Sequence, residues 1–468
     1  MKKTLLILSL CASFFTPVKS IAQDDTPYTL TVFNQAVYYG MYEATVNEPV
    51  PEGAIRLSNS SYSKMLTQDQ LDSFGNTLTM TVTLNPLCDN YDRIGNINLA
   101  FVPKNTTSYN YDDVRRIELG RFITPFMDKN ETSVTEVPYV YDLDHLTNVF
   151  HNTAITSQYD LWVELEVYGY QGGPGQGGAA VEIPGCAGRN DVYMGSLTFE
   201  SATDSSIETP ETSFIAPMSY KYELKNYTLE GTDVLGETTK TITLNLESAV
   251  QNAQLHLITS NHGSNTNGEE YVRRNHFVYF DEELKLQYKP GGISCIPFID
   301  YNTQINCIYY LCNGTSNPPP RPDTNSAWSW NNWCPGDKIP NRVIDLGNLE
   351  AGEHSFNIQV PDAQFAGGQG YFPMSVYMTG DGYNGFILNH KSFTEQAVSI
   401  YPNPVNDVAH IEAYGLGIKT VNVVNTLGQT VFTGNTDVIN MSQLQNGIYI
   451  VKVQFDNNQT IIKKVIKK

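Results

Sequence analysis

The sequence predicts an all-β chain in three parts, and three observations predict it. Charged residues fill only 17% of the 468 positions, while Gly, Pro and Tyr number 35, 24 and 29, the composition of turn-rich sheet rather than of helix. Apolar and polar residues alternate with period two in "NTLTMTVTL", "NINLAFV", "DLWVELEVYGY" and "TKTITLNL", the pattern of half-buried strands. Two polar, β-poor breaks then divide a chain that is too long for one ordinary domain.

Taken from the N-terminus, "MKKTLLILSLCASFFTPVKSIAQDD" pairs Lys2 and Lys3 with an apolar run from Thr4 to Phe15 and a small-residue site at Ser20-Ile21-Ala22. That is the pattern of an export signal, and residues 1–22 are set aside from the fold. No other run is long and apolar enough to span a membrane as a helix. The first break, "ESATDSSIETPETS" (Glu200 to Ser213), reads as a linker. The second lies near "NHKSFTEQAVSIYPNPVND". These breaks place domains at 23–205, 214–390 and 394–468. No amphipathic helix of three turns is visible, although "LTQDQLDSF" and "YDLDHLTNVF" each suit one or two turns. The Gly-rich "GYQGGPGQGGAA" (Gly169 to Ala180) has neither the lysine nor the following helix of a phosphate cradle. It reads as a loop, either functional or a simple insertion.

Charge and cysteine content narrow the function. A formal net charge of -20 argues against nucleic acid and anionic membrane as partners. The export segment removes Cys11 and leaves Cys88, Cys186, Cys295, Cys307, Cys312 and Cys334, an even set that suggests disulfides in an exported protein. No C-x-x-C pair is present, and the spacings do not suit zinc. The eight histidines are scattered, which gives a copper oxygenase built on paired sandwiches no ligand cluster.

The last seventy-odd residues carry "SIYPNPVNDVAHIEAYG", "VVNTLGQTVFTG", "NGIYIVKV" and a terminal "IIKKVIKK". Bottom-up this is a small β-sandwich with the basic tail Lys463, Lys464, Lys467 and Lys468. In that order the motifs resemble the type A sorting domain of the type IX secretion system. The resemblance implies export through the periplasm, to the cell surface or the medium, with that machinery as a partner. A carbohydrate-binding or immunoglobulin-like appendage is the alternative.

One short stretch raises the question of chemistry. "LCDNYDRIGNINL" packs Asp89, Asp92 and Arg93 at the mouth of a strand. The group is either a strand-edge ion pair or part of a site. Together with "RRIELGRFITPF", "GEEYVRRNHFVYF" and "RPDTNSAWSWNNWCPGDKIPNRVIDL", it resembles the peptide-N-glycosidase F family, with Trp-Cys-Pro-Gly the most specific piece. The similarity runs over roughly residues 80 to 350. It implies two adjacent eight-stranded jelly-roll-like antiparallel sandwiches with the site in the cleft between them. It also implies a cofactor-free amidase, expected to act as a monomer, that cleaves the bond joining the first N-acetylglucosamine of an N-linked glycoprotein or glycopeptide to asparagine. Such a reaction needs a carboxylate to activate water, donors for the oxyanion and a proton for the leaving nitrogen.

Carried over motif by motif, the resemblance makes Asp92 the principal catalytic acid, acting on the water. Arg93 orients the substrate or holds Asp92 ionised. Glu270, with Glu269 as the adjacent alternative, is expected to serve the leaving group from the sugar side. Glu166, with Glu164 as the same-face alternative, is expected to support the water network. In isolation each acid also fits the polar face of an ordinary strand. Tyr91, Tyr271 and Tyr168 stand where the family has tryptophans and are expected to stack on sugar. Trp328, Trp330 and Trp333 form either a sandwich face or a sugar-stacking wall. His262 resembles the family's glycine–histidine loop and is expected at the pocket border or in solvent. Cys312–Cys334 is the family-like disulfide, and Cys295–Cys307 and Cys88–Cys186 are assigned to the remaining cysteines. A glycan-binding protein without turnover and an adhesive surface protein are the competing functions.

Overall fold

The computed structural model describes residues 27–173, 177–264, 268–304, 332–387, 398–413, 417–426, 428–455 and 460–468. The export segment, Cys307, Cys312, Trp328 and Trp330 lie outside them. The first sandwich is built from β1 (Tyr28–Tyr39), β2 (Ala54–Ser58), β3 (Ser61–Met65), β4 (Thr77–Pro86), β5 (Ile94–Pro103), β6 (Arg115–Ile123), β7 (Val137–Asp142), β8 (Tyr159–Val167) and β9 (Asp191–Ala202). The second uses β10 (Phe214–Leu224), β11 (Thr239–Leu246), β12 (Val250–Thr259), β13 (His276–Phe280), β14 (Glu283–Tyr288), β15 (Lys338–Ile339), β16 (Arg342–Leu349), β17 (Gly352–Gln359), β18 (Phe372–Asp381) and β19 (Gly385–Phe386). A C-terminal module holds β20 (Val398–Tyr401), β21 (Val408–Ala413), β22 (Ile418–Asn425), β23 (Thr430–Gly434), β24 (Val438–Asn440), β25 (Gly447–Phe455) and β26 (Thr460–Lys467). Helices among the described residues span one or two turns, including Gln68–Asp72, capped by Thr67, and Thr147–Phe150.

The first sandwich packs a four-stranded sheet, β1-β9-β4-β7, on a six-stranded one, β15-β6-β5-β8-β3-β2. The second packs the five-stranded β16-β12-β18-β10-β19 on the four-stranded β11-β17-β13-β14. Both therefore exceed the eight strands expected of each: the short β2 and β19 are added at edges, and β15 crosses over to pair with β6 of the first sandwich. Alternation sets the cores. Leu78, Met80, Val82 and Leu84 of β4 meet Ile97, Leu99 and Phe101 of β5 in the first, and Leu244, Leu257, Val278 and Phe356 meet in the second. Val421, Val423, Val451 and Val453 fill the module.

The other face of the β6-β5-β8 sheet is polar in sequence yet buried, because the five-stranded sheet of the second sandwich covers it. Asn96, Asn98, Arg116, Glu118, Arg121 and Glu164 are all buried there. A bulge in β6 between the partners of Ile97 and Asn98 turns Arg121 onto the face that already carries Glu118. Arg121 then donates two bonds to the Glu118 carboxylate, Nε to Oε1 at 2.8 Å and Nη2 to Oε2 at 2.6 Å. It also reaches across to Ser260 Oγ at 2.8 Å and the Pro373 carbonyl at 2.7 Å. Ser375 of β18 donates to Glu118 from the far side. Gly120 is required by the same turn, since a Cβ there would lie 2.5 Å from the Tyr141 ring.

Cys88 bonds to Cys186, as expected. Cys334 bonds to Cys295, so the pairings Cys312–Cys334 and Cys295–Cys307 do not form. The turn Ile296–Tyr301 packs beneath Phe126 and carries Cys295 against Cys334, so spatial proximity, not nearness in sequence, chose the partner. The Gly-rich loop is followed by a one-turn helix, Ala179–Glu182, which its sequence had not suggested.

Two predictions follow from the seam between the sandwiches. Glu118→Ala leaves Arg121 buried without its carboxylate, and denaturant unfolding is expected to show a loss of about 3–5 kcal/mol; a loss below about 1 kcal/mol would remove the pair from its role. At the other end of the seam, His145 of the first sandwich stacks on His256 of the second, with centroids 4.1 Å apart. Burial pushes His145 down to about 4 and His256 well below its ordinary value, although Asp142 pulls the other way on His145. The unfolded chain takes up these protons at higher pH than the folded one, so stability present at neutral pH is lost as pH falls from about 6.5 to about 4. His145→Gln is expected to reduce that loss by on the order of 3 kcal/mol, read as unfolding free energies at the two pH values.

Candidate functional site

A cleft cavity of about 330 Å³ opens between the sandwiches, lined by Tyr91, Asp92, Arg93 and Phe126 on one side and His262, Glu270, Tyr271 and Trp333 on the other. The first wall is the loop that enters β5. Cys88 anchors it through the disulfide to Cys186. Asp89 is fully buried beneath it and accepts from Arg93 Nε at 2.8 Å and from the Tyr91 and Tyr170 amides at 2.9 and 2.6 Å. Thr124 Oγ1 and Tyr193 Oη both donate to the Tyr91 carbonyl at 2.9 Å. The crowding of acids and arginine is thereby explained. Arg93 pairs with Asp89, and Asp92 is left to face the cavity, with no ion pair among the described residues.

The second wall is a turn ahead of β13. The residues Gly268 to Tyr271 do not form the strand entrance expected of them. Glu269 turns inward and is buried. Its carboxylate takes Arg274 at 2.8 and 2.9 Å and the Gln364 and Phe365 amides at 2.8 and 3.3 Å. Glu270 turns outward into the cavity, accepting from the Gly263 amide at 3.3 Å and from the Tyr271 hydroxyl. Asn332, which no sequence signal singled out, fixes this divergence: its Nδ2 donates to the carbonyls of Glu269 at 2.8 Å and Glu270 at 2.5 Å. Trp333 is buried against Ile123, Ile258 and Ile339 and donates to the Asn261 carbonyl at 3.1 Å, yet it also contributes to the cavity wall.

Electrostatics couple the two acids. Burial raises Asp92 well above the usual carboxylate range; the charge of Glu270 adds to this and Arg93 partly offsets it. Burial also raises Glu270, against the Gly263 amide and the Tyr271 hydroxyl. Two carboxyls whose proton affinities are raised in one cavity can divide their roles, one member serving as base while the other is acid.

The structure does not bring Glu166 into this cavity. With Tyr168 it lines a separate one of about 770 Å³, where Lys221 Nζ lies 2.5 Å from Glu166 Oε2 and 3.2 Å from Tyr168 Oη. Lys221 sits in an alternating strand, and nothing in its local sequence marked it. Glu164 is consumed within the sheet, bonded to Arg116, Asn98 and Tyr109. Among the described residues no group of three or more His, Cys, Asp or Glu is placed to hold a metal ion, and no helix is long and apolar enough to cross a membrane.

Comparison with known proteins agrees with this architecture. Residues 29–170 match the family model described as peptide-N-glycosidase F, N terminal, and residues 232–379 the one described as peptide-N-glycosidase F, C terminal. Residues 399–468 match a secretion system C-terminal sorting domain. None of the curated proteins matches the chain. Among solved structures, two crystal forms of PNGF-II are 19% identical with TM-scores of 0.53, covering 76% and 78% of this chain. The chain spans 65% and 66% of their length. PNGase F, a glycosylasparaginase from Flavobacterium meningosepticum, is 14% identical over 78% of this chain and 98% of that one, with a TM-score of 0.47. With its two sandwiches matched one after the other by the two halves of one family, and a sorting module behind them, this chain belongs to the peptide-N-glycosidase F family.

Proposed function

We propose that the protein is an exported amidase that removes N-linked glycans by hydrolysing the amide between N-acetylglucosamine and asparagine. The observation that carries this reading is the meeting of Asp92 and Glu270, one from each sandwich, in a single cavity where the charge of one raises the proton affinity of the other. A water placed beside Asp92 adds through its oxygen to the amide carbon and gives its proton to the carboxylate, while the carbonyl electron pair moves onto oxygen. Collapse re-forms the carbonyl and breaks the carbon–nitrogen bond. Its electrons leave with nitrogen, which takes a proton from the carboxyl pair. The products are an aspartate side chain and a glycosylamine.

In this reading Arg93 holds the loop through Asp89, and Tyr91, Tyr271 and Trp333 bound the sugar. Glu166 and Tyr168, in the neighbouring cavity, serve the carbohydrate beyond the first sugar instead of the attacking water. The sorting domain supports export through the type IX machinery to the surface or the medium.

Glycan release from a denatured glycoprotein, with the asparagine-to-aspartate mass change, tests the reading. Asp92→Asn is expected to lower kcat by about 10²–10⁴-fold. Wild-type binding without release would instead indicate a glycan-binding protein. The pH profile supplies an independent check. Asp92 acts as base only when ionised, so its raised proton affinity places the acidic limb of kcat/KM above the usual carboxylate range. Glu270→Gln removes a negative neighbour, lowers that affinity and is expected to move the limb of the residual activity to lower pH. A limb that stays in place or moves upward would break the proposed coupling.

A further inference from the structure

Behind the cavity a chain of hydrogen bonds decides which nitrogen of His262 carries its proton. Arg121 Nη1 donates to Ser260 Oγ at 2.8 Å, and Ser260 Oγ lies 2.8 Å from His262 Nε2. Arginine can only donate, so the serine oxygen is already an acceptor there. Ser260 is buried, and His262 Nε2 is the acceptor within reach of its hydroxyl proton among the described residues. Pairing every buried donor therefore requires Ser260 O–H to donate to Nε2. Nε2 is then the unprotonated nitrogen of a neutral ring, and Nδ1 bears the hydrogen. The backbone N–H and C=O of His262 are both paired with Tyr371, at 3.2 and 3.1 Å, which fixes the main chain from which the ring projects. His262 lines the same cavity as Asp92 and Glu270.

Resting on the amidase reading, we infer that Arg121 and Ser260 fix His262 as the neutral Nδ1–H tautomer and that this N–H donates to the carbonyl oxygen of the scissile amide as it becomes an oxyanion. The imidazole keeps its proton throughout; it stabilises charge and transfers nothing. A neutral ring suits this task beside two carboxyls, since an imidazolium would pair with Asp92 or Glu270 and be drawn away from the oxyanion. Burial and the Arg121 charge push the ring down to about 3, so it stays neutral across the range in which Asp92 titrates. The titratable and charged groups that face it are Asp92, Arg93, Glu270, Tyr91 and Tyr271 around the cavity, Arg121 through Ser260, and Tyr371, whose ring centroid lies 6.2 Å away.

Nitrogen-15 NMR of the full chain, read beside glycopeptide kinetics, tests the inference. The spectrum is expected to show a protonated Nδ1 and a bare Nε2 from pH 5 to 8. His262→Ala is expected to lower kcat about 10²–10³-fold, the cost of one oxyanion donor, with KM changed less than threefold. His262→Gln restores an N–H donor and is expected to recover at least tenfold of that loss, which separates a donor from a packing role. An active wild type whose His262 is protonated on Nε2, or titrates near 6.5, overturns the inference and leaves the amidase standing. So does an active His262→Ala with kcat within threefold of wild type. A wild type that releases no glycan overturns the amidase reading, and the inference with it.

Discussion

The buried Glu118–Arg121 pair is the constraint on which the site depends. Both side chains lie in the layer between the sandwiches, out of reach of water. Charges so placed persist only when every donor and lone pair is met. Here the second sandwich completes the set, with Ser375 on the carboxylate and Ser260 and the Pro373 carbonyl on the guanidinium. A hydrophobic seam would tolerate sliding by an ångström or two. A bidentate ion pair with fixed partners on β18 and just past the end of β12 does not. The seam therefore sets the distance between the loop that carries Asp92 and the turn that carries Glu270, although neither acid touches it.

A second regularity governs the acids themselves. Near each proposed site acid stands another that an arginine claims: Asp89 by Arg93, Glu269 by Arg274 and Glu164 by Arg116. The claimed member is buried and saturated with hydrogen bonds, and it stiffens the backbone from which its neighbour projects. Asp92 and Glu270 emerge from this arrangement facing the cavity, both raised by burial and Asp92 also by the charge of Glu270. Glu166 instead finds a lysine from the second sandwich. The arginines thus act twice, once as structural counter-ions and once by leaving the neighbouring carboxylates unneutralised where chemistry needs them.

What could be read from the sequence follows from the range of each interaction. Alternation is local, so β4, β5, β8 and β11 were legible, and the breaks between the three parts stand out as polar runs. The same alternation misled about the outer face of β5, β6 and β8. Asn96, Asn98, Glu164 and Glu166 look like a solvated stripe, and only a second sandwich, distant in sequence, buries them. The family resemblance pointed to Asp92, since the local residues alone fit a strand-edge ion pair as well. The choice between Glu269 and Glu270 could not be made, because it depends on a turn held by Asn332, some sixty residues away. The cysteine pairing failed for the same reason. Lys221 and Ser260 left no signal, since a lysine in a strand or a serine just past one looks like an ordinary surface residue.

The coupling between the acids also makes the site sensitive to the seam. Repulsion between Asp92 and Glu270 falls with their separation, and it falls faster once water enters the widened cleft. A domain slip would therefore do more than misplace a water. It would lower the proton affinity of Asp92 and so weaken the division into base and acid on which the proposed reaction rests. Ser260 would move with the second sandwich while Arg121 stayed with the first, so the His262 tautomer would be released in the same event. On the proposed mechanism, one displacement thus removes base–acid division and oxyanion donor together, which is a physical reason for spending a buried ion pair on a surface that could have been apolar.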